Sequence, residues 1–293
     1  MTSKPFTASS LDQPVDCVLG GGGVKGLAHV GFLRALDERN VKTADVYGAS
    51  IGAIIATFFT NGHPLTTMEE TTLAELKHFG KDTLIRAFKR PRVKRLGLVE
   101  LRPIFEAMVK RHNLKPQPNL KIVACYRDGL KLRPIVFQGT DYDLVTALTA
   151  SCAIPPFMRA QEFEVEGEKR WLLDGGIYHA QPHEFCQRPA LISKLGLADQ
   201  LPAQPLSPVD WAIHLSEMSA SRFKEKLTSK PGLEHCIITT GDRRVATMTF
   251  DLPDERLQQM VKLGHKRTVQ ALSDLSSTHS HDAKEPAKCG RKK

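Results

Sequence analysis

Three short segments carry side chains that could do chemistry. GASIG, Gly48 to Gly52, fits the G-x-S-x-G pattern, in which flanking glycines let the backbone turn sharply and leave the hydroxyl of Ser50 exposed above a sheet as a nucleophile. GGGGVKG, Gly20 to Gly26, follows a β-branched run and opens a helix. Its backbone N–H groups then point at a helix N-terminus, where negative charge is favoured, as in an oxyanion hole. WLLDGG ends an apolar run with Asp174 and continues with Gly175 and Gly176, placing a carboxylate at the end of a strand, where open α/β sheets carry functional groups.

Each segment has a competing reading. Gly21, Gly23 and Gly26 also fit G-x-G-x-x-G, a dinucleotide fingerprint, which asks for an acidic residue closing the next strand about 20 positions on. Asp45 is in range but precedes Val46 and Tyr47, and a phosphate-binding P-loop would need Lys where Leu27 stands. An α/β protein that binds a nucleotide or phosphate on this turn, with Ser50 merely capping a helix, is therefore the alternative. A serine elbow of the ordinary α/β-hydrolase kind comes later in its domain and needs a downstream acid and histidine. His214, His235 and His265 are available, but each reads better as a packed or surface residue. Asp174-Gly175 is also a common turn pair.

The order of the three blocks resembles the patatin-like phospholipases, whose pattern is G-G-G-x-[RK]-G, G-x-S-x-G and D-G-[GA]. Here these are Gly21-Gly22-Gly23-Val24-Lys25-Gly26, Gly48-Ala49-Ser50-Ile51-Gly52 and Asp174-Gly175-Gly176. A fourth block, Ala147 to Met158 (ALTASCAIPPFM), is similar to the stretch that family carries before its aspartate, so the resemblance spans residues 14 to 183. It implies a serine acyl hydrolase acting on fatty-acyl esters of phospholipids through a Ser50–Asp174 dyad without histidine. Asp174 accepts the serine proton, and the N–H groups of Gly21, Gly22 and Gly23 hold the oxyanion. It also implies a patatin-like variant of the α/β-hydrolase architecture, no metal and no cofactor. Lys25 either braces the Gly turn or adds positive potential. The family usually continues D-G-G-x-x-x-N-x-P, whereas this chain reads DGGIYHAQP, with Ala180 in the Asn position. Some bacterial members stay silent until a host protein binds, so a protein activator is among the partners the resemblance implies.

Strands and helices must alternate to position these groups. Val15 to Leu19 reads as a strand, Val24 to Arg39 as a helix, Ala44 to Tyr47 as a second strand, and Ile51 to Asn61 as an apolar helix stopped by Gly62 and Pro64. Further strands are expected at Lys121 to Tyr126, Leu132 to Phe137, Trp171 to Leu173, Trp211 to Leu215 and Cys236 to Thr240, with a last helix from about Asp254 to Leu275. The expectation is an α/β fold: a three-layer αβα arrangement with a mostly parallel central sheet. One domain should run from 14 to 275, between a loose Ser/Thr/Pro-rich stretch 1–13 and a loose basic tail 276–293.

The rest of the composition narrows the partners. A 293-residue chain, 41% apolar and 25% charged, is of ordinary globular composition and excludes collagen-like, coiled-coil and wholly disordered classes. Its longest apolar run, Ile51 to Phe59, is far short of the roughly 20 residues that cross a bilayer. The six cysteines show no C-x-x-C, so no zinc site is expected from them, and no calcium loop is visible. The net charge of +9 concentrates in residues 86–95, which include Arg90, Arg92, Lys94 and Arg95, and in the last ten residues. Such clusters suit an anionic phospholipid surface, and no nucleic-acid partner is expected. The first twenty residues lack the apolar block of a secretory signal. The expected location is the cytoplasm or a membrane periphery, with export by another route left open.

Overall fold

The computed structural model describes residues 5–89 (backbone only for 78–89), 99–155, 157–179, 181–196, 233–242, 245 and 252–278. The expected strand Trp211 to Leu215, His214, Ala180, the basic residues Arg90, Arg92, Lys94 and Arg95, and the tail from residue 279 lie outside them.

Within the described residues the chain alternates as its apolar pattern dictates. Strand β1 (Val15–Leu19), a 3-10 turn (Gly23–Gly26) and helix α1 (Leu27–Glu38) lead into β2 (Thr43–Ala49), α2 (Ile51–Thr60), α3 (Leu65–Lys89) and α4 (Arg102–Arg111). There follow β3 (Leu120–Asp128), β4 (Lys131–Phe137), α5 (Leu144–Ser151), β5 (Gln161–Val165), β6 (Glu168–Asp174) and the short α6 (Gly175–Tyr178). The series closes with β7 (Ala190–Lys194), β8 (His235–Thr239) and α7 (Asp254–Thr278). Every residue of β1 is buried, the mark of a central strand covered on both faces. Helix α2 is apolar nearly all round because it too is buried, from Ile51 through Phe58. Helices α1 and α7 press backbone to backbone: a Cβ on Gly31 would lie 2.0 Å from the Val261 carbonyl oxygen, and one on Gly264 2.1 Å from that of Ala28.

The sheet is mixed and mostly parallel, ordered β5-β6-β3-β2-β1-β7-β8 with β4 added on β3. Strands β3, β2, β1, β7 and β8 pair in parallel, whereas β4 and β6 pair antiparallel to β3, and β5 antiparallel to β6. Register shows how one strand holds three partners. β4 lines one edge of β3 from Ile122 to Asp128. On the other edge β2 pairs as far as Ala49 opposite Val123, and β6 takes over with Asp174 opposite Ala124. The C-terminal ends of β2 and β6 therefore meet head to head, and the sheet forks there into a parallel wing and an antiparallel one.

Several expectations change. The N-terminal stretch 1–13 is not loose from residue 5 onward: Phe6 is buried in the core, Thr7 and Ser10 form a reciprocal capping box, and Ser10 Oγ donates to Glu234 at 2.9 Å. The Ser/Thr-rich composition that reads as loose is here capping chemistry. Helix α7 continues to Thr278, past the expected 275. Strands β5 and β7 were not anticipated. β5 (QEFEV) is a half-buried edge strand with few apolar residues, joined to β6 by Glu166-Gly167, both at positive φ as a tight hairpin turn requires. The helix expected from Val24 begins as the 3-10 turn and turns α-helical only at Leu27.

Candidate active site

Ser50 follows β2 and precedes α2, and it adopts φ 56°, ψ −128°, a conformation L-residues rarely occupy. The surroundings hold it there. Its carbonyl accepts from Ala53 N–H (2.9 Å), and its own N–H donates to Ser151 Oγ (3.0 Å), whose hydroxyl donates to Val123 O (2.6 Å). The glycines of the elbow are demanded by close approach: a Cβ on Gly52 would sit 2.0 Å from Leu19 O, and one on Gly48 2.5 Å from Ala53 Cα. Ser50 is 6% exposed.

The Gly turn lies directly beside it. A Cβ on Gly21 would be 3.4 Å from Ser50 Cβ and 3.7 Å from Gly176 Cα, so Gly21 stands between the serine elbow and the turn after Asp174. Among the described residues the N–H groups of Gly21, Gly22 and Gly23 enter no hydrogen bond. Gly26 passes Ile51 so closely that a Cβ would lie 2.1 Å from Ile51 Cγ1. Lys25 is fully buried and its ammonium donates to Gly196 O at 2.7 Å, tying the Gly turn to the chain after β7. Of its two expected roles, this contact is the brace.

Behind the turn runs a buried polar chain that sequence reading missed. His29 Nε2 lies 2.8 Å from Gly20 O and Nδ1 2.8 Å from Ser193 Oγ, which is 2.7 Å from Thr240 Oγ1. Since a carbonyl can only accept, Nε2 carries the proton and Nδ1 accepts from the Ser193 hydroxyl. Burial holds His29 down at about 4, against a smaller opposing effect of the Gly20 carbonyl, so the ring is neutral at physiological pH.

Asp174 ends β6 and caps α6, its Oδ1 accepting from Gly176 N–H at 2.6 Å. A Cβ on Gly176 would lie 2.9 Å from that oxygen, and one on Gly175 2.2 Å from Val123 O. The carboxylate is 3% exposed and lies beside two buried thiols, Cys125 and Cys152. Burial first, and the Asp174 charge second, push Cys125 up to about 12 and Cys152 well above the usual thiol range. Both stay protonated, and Cys125 Sγ donates to the Asp174 carbonyl at 3.3 Å. Ser50, the Asp174 carboxylate and the row of Gly-turn amides thus converge on the fork of the sheet. Asp45, the acid a dinucleotide site would need, sits near the start of β2, at the opposite end of the strand from the Gly turn. There it meets Lys121 (3.5 Å) and Arg188 (3.3 Å).

The patatin-like phospholipase family model matches residues 17–185, more than half of the chain. The chain belongs to the patatin-like phospholipase family. The patatin-like region runs from β1 to the turn beyond α6 and takes in the Gly turn, Ser50 and Asp174; β7, β8 and α7 lie past it. An uncharacterized NTE family protein of Mycobacterium bovis is 30% identical over 180 residues, covering 59% of this chain and 45% of its own length. The chain thus spans less than half of that curated relative. Neuropathy target esterase of Drosophila melanogaster is 38% identical over 56 residues, 19% of this chain and 4% of that protein. Among solved structures, VipD of Legionella pneumophila is similar at a TM-score of 0.49 and 16% identity, over 93% of this chain and 68% of that one.

Two supporting residues carry signals too weak for sequence reading. Ser151 lies inside the fourth block, ALTASCAIPPFM, but its task depends on a partner, Ser50, about a hundred positions away. His29 is one helical turn past the Gly turn, and its partners Ser193 and Thr240 lie on and just beyond unforeseen or late strands.

Proposed function

We propose that this patatin-like chain is a serine acyl hydrolase of the phospholipase A type. One observation carries the reading: Ser50 is held at positive φ where β2 and β6 abut, with Asp174 ending the second of those strands. Ser50 Oγ attacks the ester carbonyl while its proton passes to the Asp174 carboxylate. The tetrahedral oxyanion is met by the N–H groups of Gly21, Gly22 and Gly23. Collapse expels the lysophospholipid alcohol, which takes the proton back from Asp174. Water then adds to the acyl-enzyme by the same route and releases a fatty acid and free Ser50. An aspartate is a weak base, so the rate rests mostly on positioning and on the preorganised amides.

The proposed substrate surface is an anionic phospholipid membrane, supported by the basic residues Arg90, Arg92, Lys94 and Arg95; a protein activator is the other partner this reading admits. A fluorophosphonate probe tests the chemistry. The wild type should label and Ser50→Ala should not, whereas a nucleotide-binding protein would ignore the probe altogether. Asp174→Asn should stay folded and lose roughly 10³ or more of turnover on phospholipid vesicles; turnover near the wild-type level would assign the base elsewhere.

A further inference from the structure

Immediately beyond α6 the chain gathers three side chains that the hydrolase chemistry does not use. One donor atom from each of His179, His183 and Glu184 lies within 4.8 Å of the other two. His179 is 4% exposed, and its Nδ1 approaches Glu184 Oε2 to 2.8 Å, yet the angles give no hydrogen bond to Nδ1 or to either carboxylate oxygen, all three of which are buried. Burying a carboxylate and an imidazole nitrogen without hydrogen bonds is unfavourable unless something else satisfies them.

We propose that His179, His183 and Glu184 form a binding site for a divalent transition-metal ion of the zinc class, clamping the chain that follows Asp174. The His183 ring is already prepared for this. Its Nδ1 lies 2.7 Å from Gln181 O and must donate to it, which leaves the Nε2 lone pair for a metal. A bond from the second ring nitrogen to a backbone carbonyl is the usual way a metal-ligating histidine is oriented. The ring stacks on His235 at 5.3 Å and leans on His179 at 5.1 Å, so it is also held by its neighbours. Two imidazoles and one carboxylate suit zinc rather than calcium or magnesium, which prefer oxygen donors, and leave a fourth position for water.

The signal in sequence is H-x-x-x-H-E, His179 to Glu184, in the stretch where the chain departs from the family pattern. The expectation of no metal rested on the cysteines, the missing calcium loop and the family resemblance, and did not weigh these histidines. Bound there, the ion would act on Asp174 only through the backbone. His179 closes α6, with its N–H donating to Gly175 O at 3.0 Å, and His183 opens the next turn. The three residues are positioning groups, not catalytic ones.

The test uses the full chain, stripped with chelator and titrated with Co²⁺ and then Zn²⁺, and reads neither lipid nor hydrolysis. Co²⁺ should bind at one equivalent with the visible bands of a four-coordinate ion, and Zn²⁺ should displace it. His183→Gln and Glu184→Gln should each weaken Co²⁺ binding at least about tenfold while keeping the wild-type circular dichroism. Zn²⁺ should raise the unfolding temperature of the wild type and of neither variant. Absence of saturable binding, or variants that bind as the wild type does, would leave only a His179–Glu184 ion pair and overturn the site. Should His183→Gln fail to fold, Glu184→Gln decides alone, since that side chain is a quarter exposed. The hydrolase reading can fail by the probe test while this one stands, and the reverse.

Discussion

Ser50 occupies a backbone conformation that costs about 1–3 kcal/mol, and the bonds from Ala53 and to Ser151 that maintain it also decide where an oxyanion can be met. The Ser50 N–H is already engaged by Ser151 Oγ, so on the proposed mechanism the donors come from the Gly turn, whose amides at 21, 22 and 23 enter no hydrogen bond among the described residues. Gly21→Ala separates chemistry from folding. Its new methyl would meet Ser50 Cβ at 3.4 Å, a tolerable contact, and the position has no positive φ. Thermal stability should hold near the wild-type value while fluorophosphonate labelling slows, because Ala keeps its N–H but sets a methyl beside Ser50 and narrows the space the reacting group must enter. Unchanged labelling would show that the space beside Gly21 is not the one the reacting group enters. His29 makes a second prediction at this scale. Its folded value near 4 lies below the ordinary 6.5, so the unfolded chain binds the extra proton first. The stabilisation is complete above pH 6.5 and is lost as pH falls toward 4. Between pH 7 and pH 4 the wild type should lose about 3 kcal/mol more unfolding free energy than His29→Gln, measured by denaturant titration. Parallel losses would mean that His29 is not buried neutral.

At the scale of elements, the site exists because β3 lends one edge to two strands running toward each other. Ser151, the last residue of α5, pins that junction by bonding both Ser50 N–H and Val123 O. Ser151→Ala leaves a buried donor and a buried acceptor unsatisfied. It should lower stability by about 2 kcal/mol and slow probe labelling with it, because the elbow loses its tether. A variant as stable as the wild type would show that water replaces the hydroxyl. The Gly turn, the elbow and the aspartate are legible in the sequence because each is a compact motif at a strand end, where residue type and neighbours suffice. The head-to-head meeting of β2 and β6 is not. It depends on β6 running antiparallel, set by the Glu166-Gly167 hairpin and the weakly apolar β5, and no local pattern near Asp174 announces it. His29, Ser151 and the folded N-terminus share that character, since their meaning lies in partners far along the chain.

For the whole molecule, the proposed membrane substrate gives the charge of +9 a role in how the site reaches it. A phospholipid ester lies in a membrane, and near an anionic surface each Lys or Arg contributes about 1 kcal/mol, an attraction that salt screens within a Debye length of roughly 10 Å at 0.1 M. Arg90, Arg92, Lys94 and Arg95 together would then supply about 4 kcal/mol, near a thousandfold in partitioning. Binding to vesicles containing anionic lipid should weaken steeply with added salt and be absent on neutral vesicles. Replacing the four with Gln should lower partitioning by roughly 10² or more, with salt dependence reduced to match. Hydrolysis of a soluble, monomeric ester should be the same in both proteins, because in the proposed mechanism that substrate needs only Ser50, Asp174 and the Gly turn. Equal vesicle binding by the two proteins would remove the segment from the membrane contact. A parallel loss on the soluble ester would instead place those four residues in the support of the site itself.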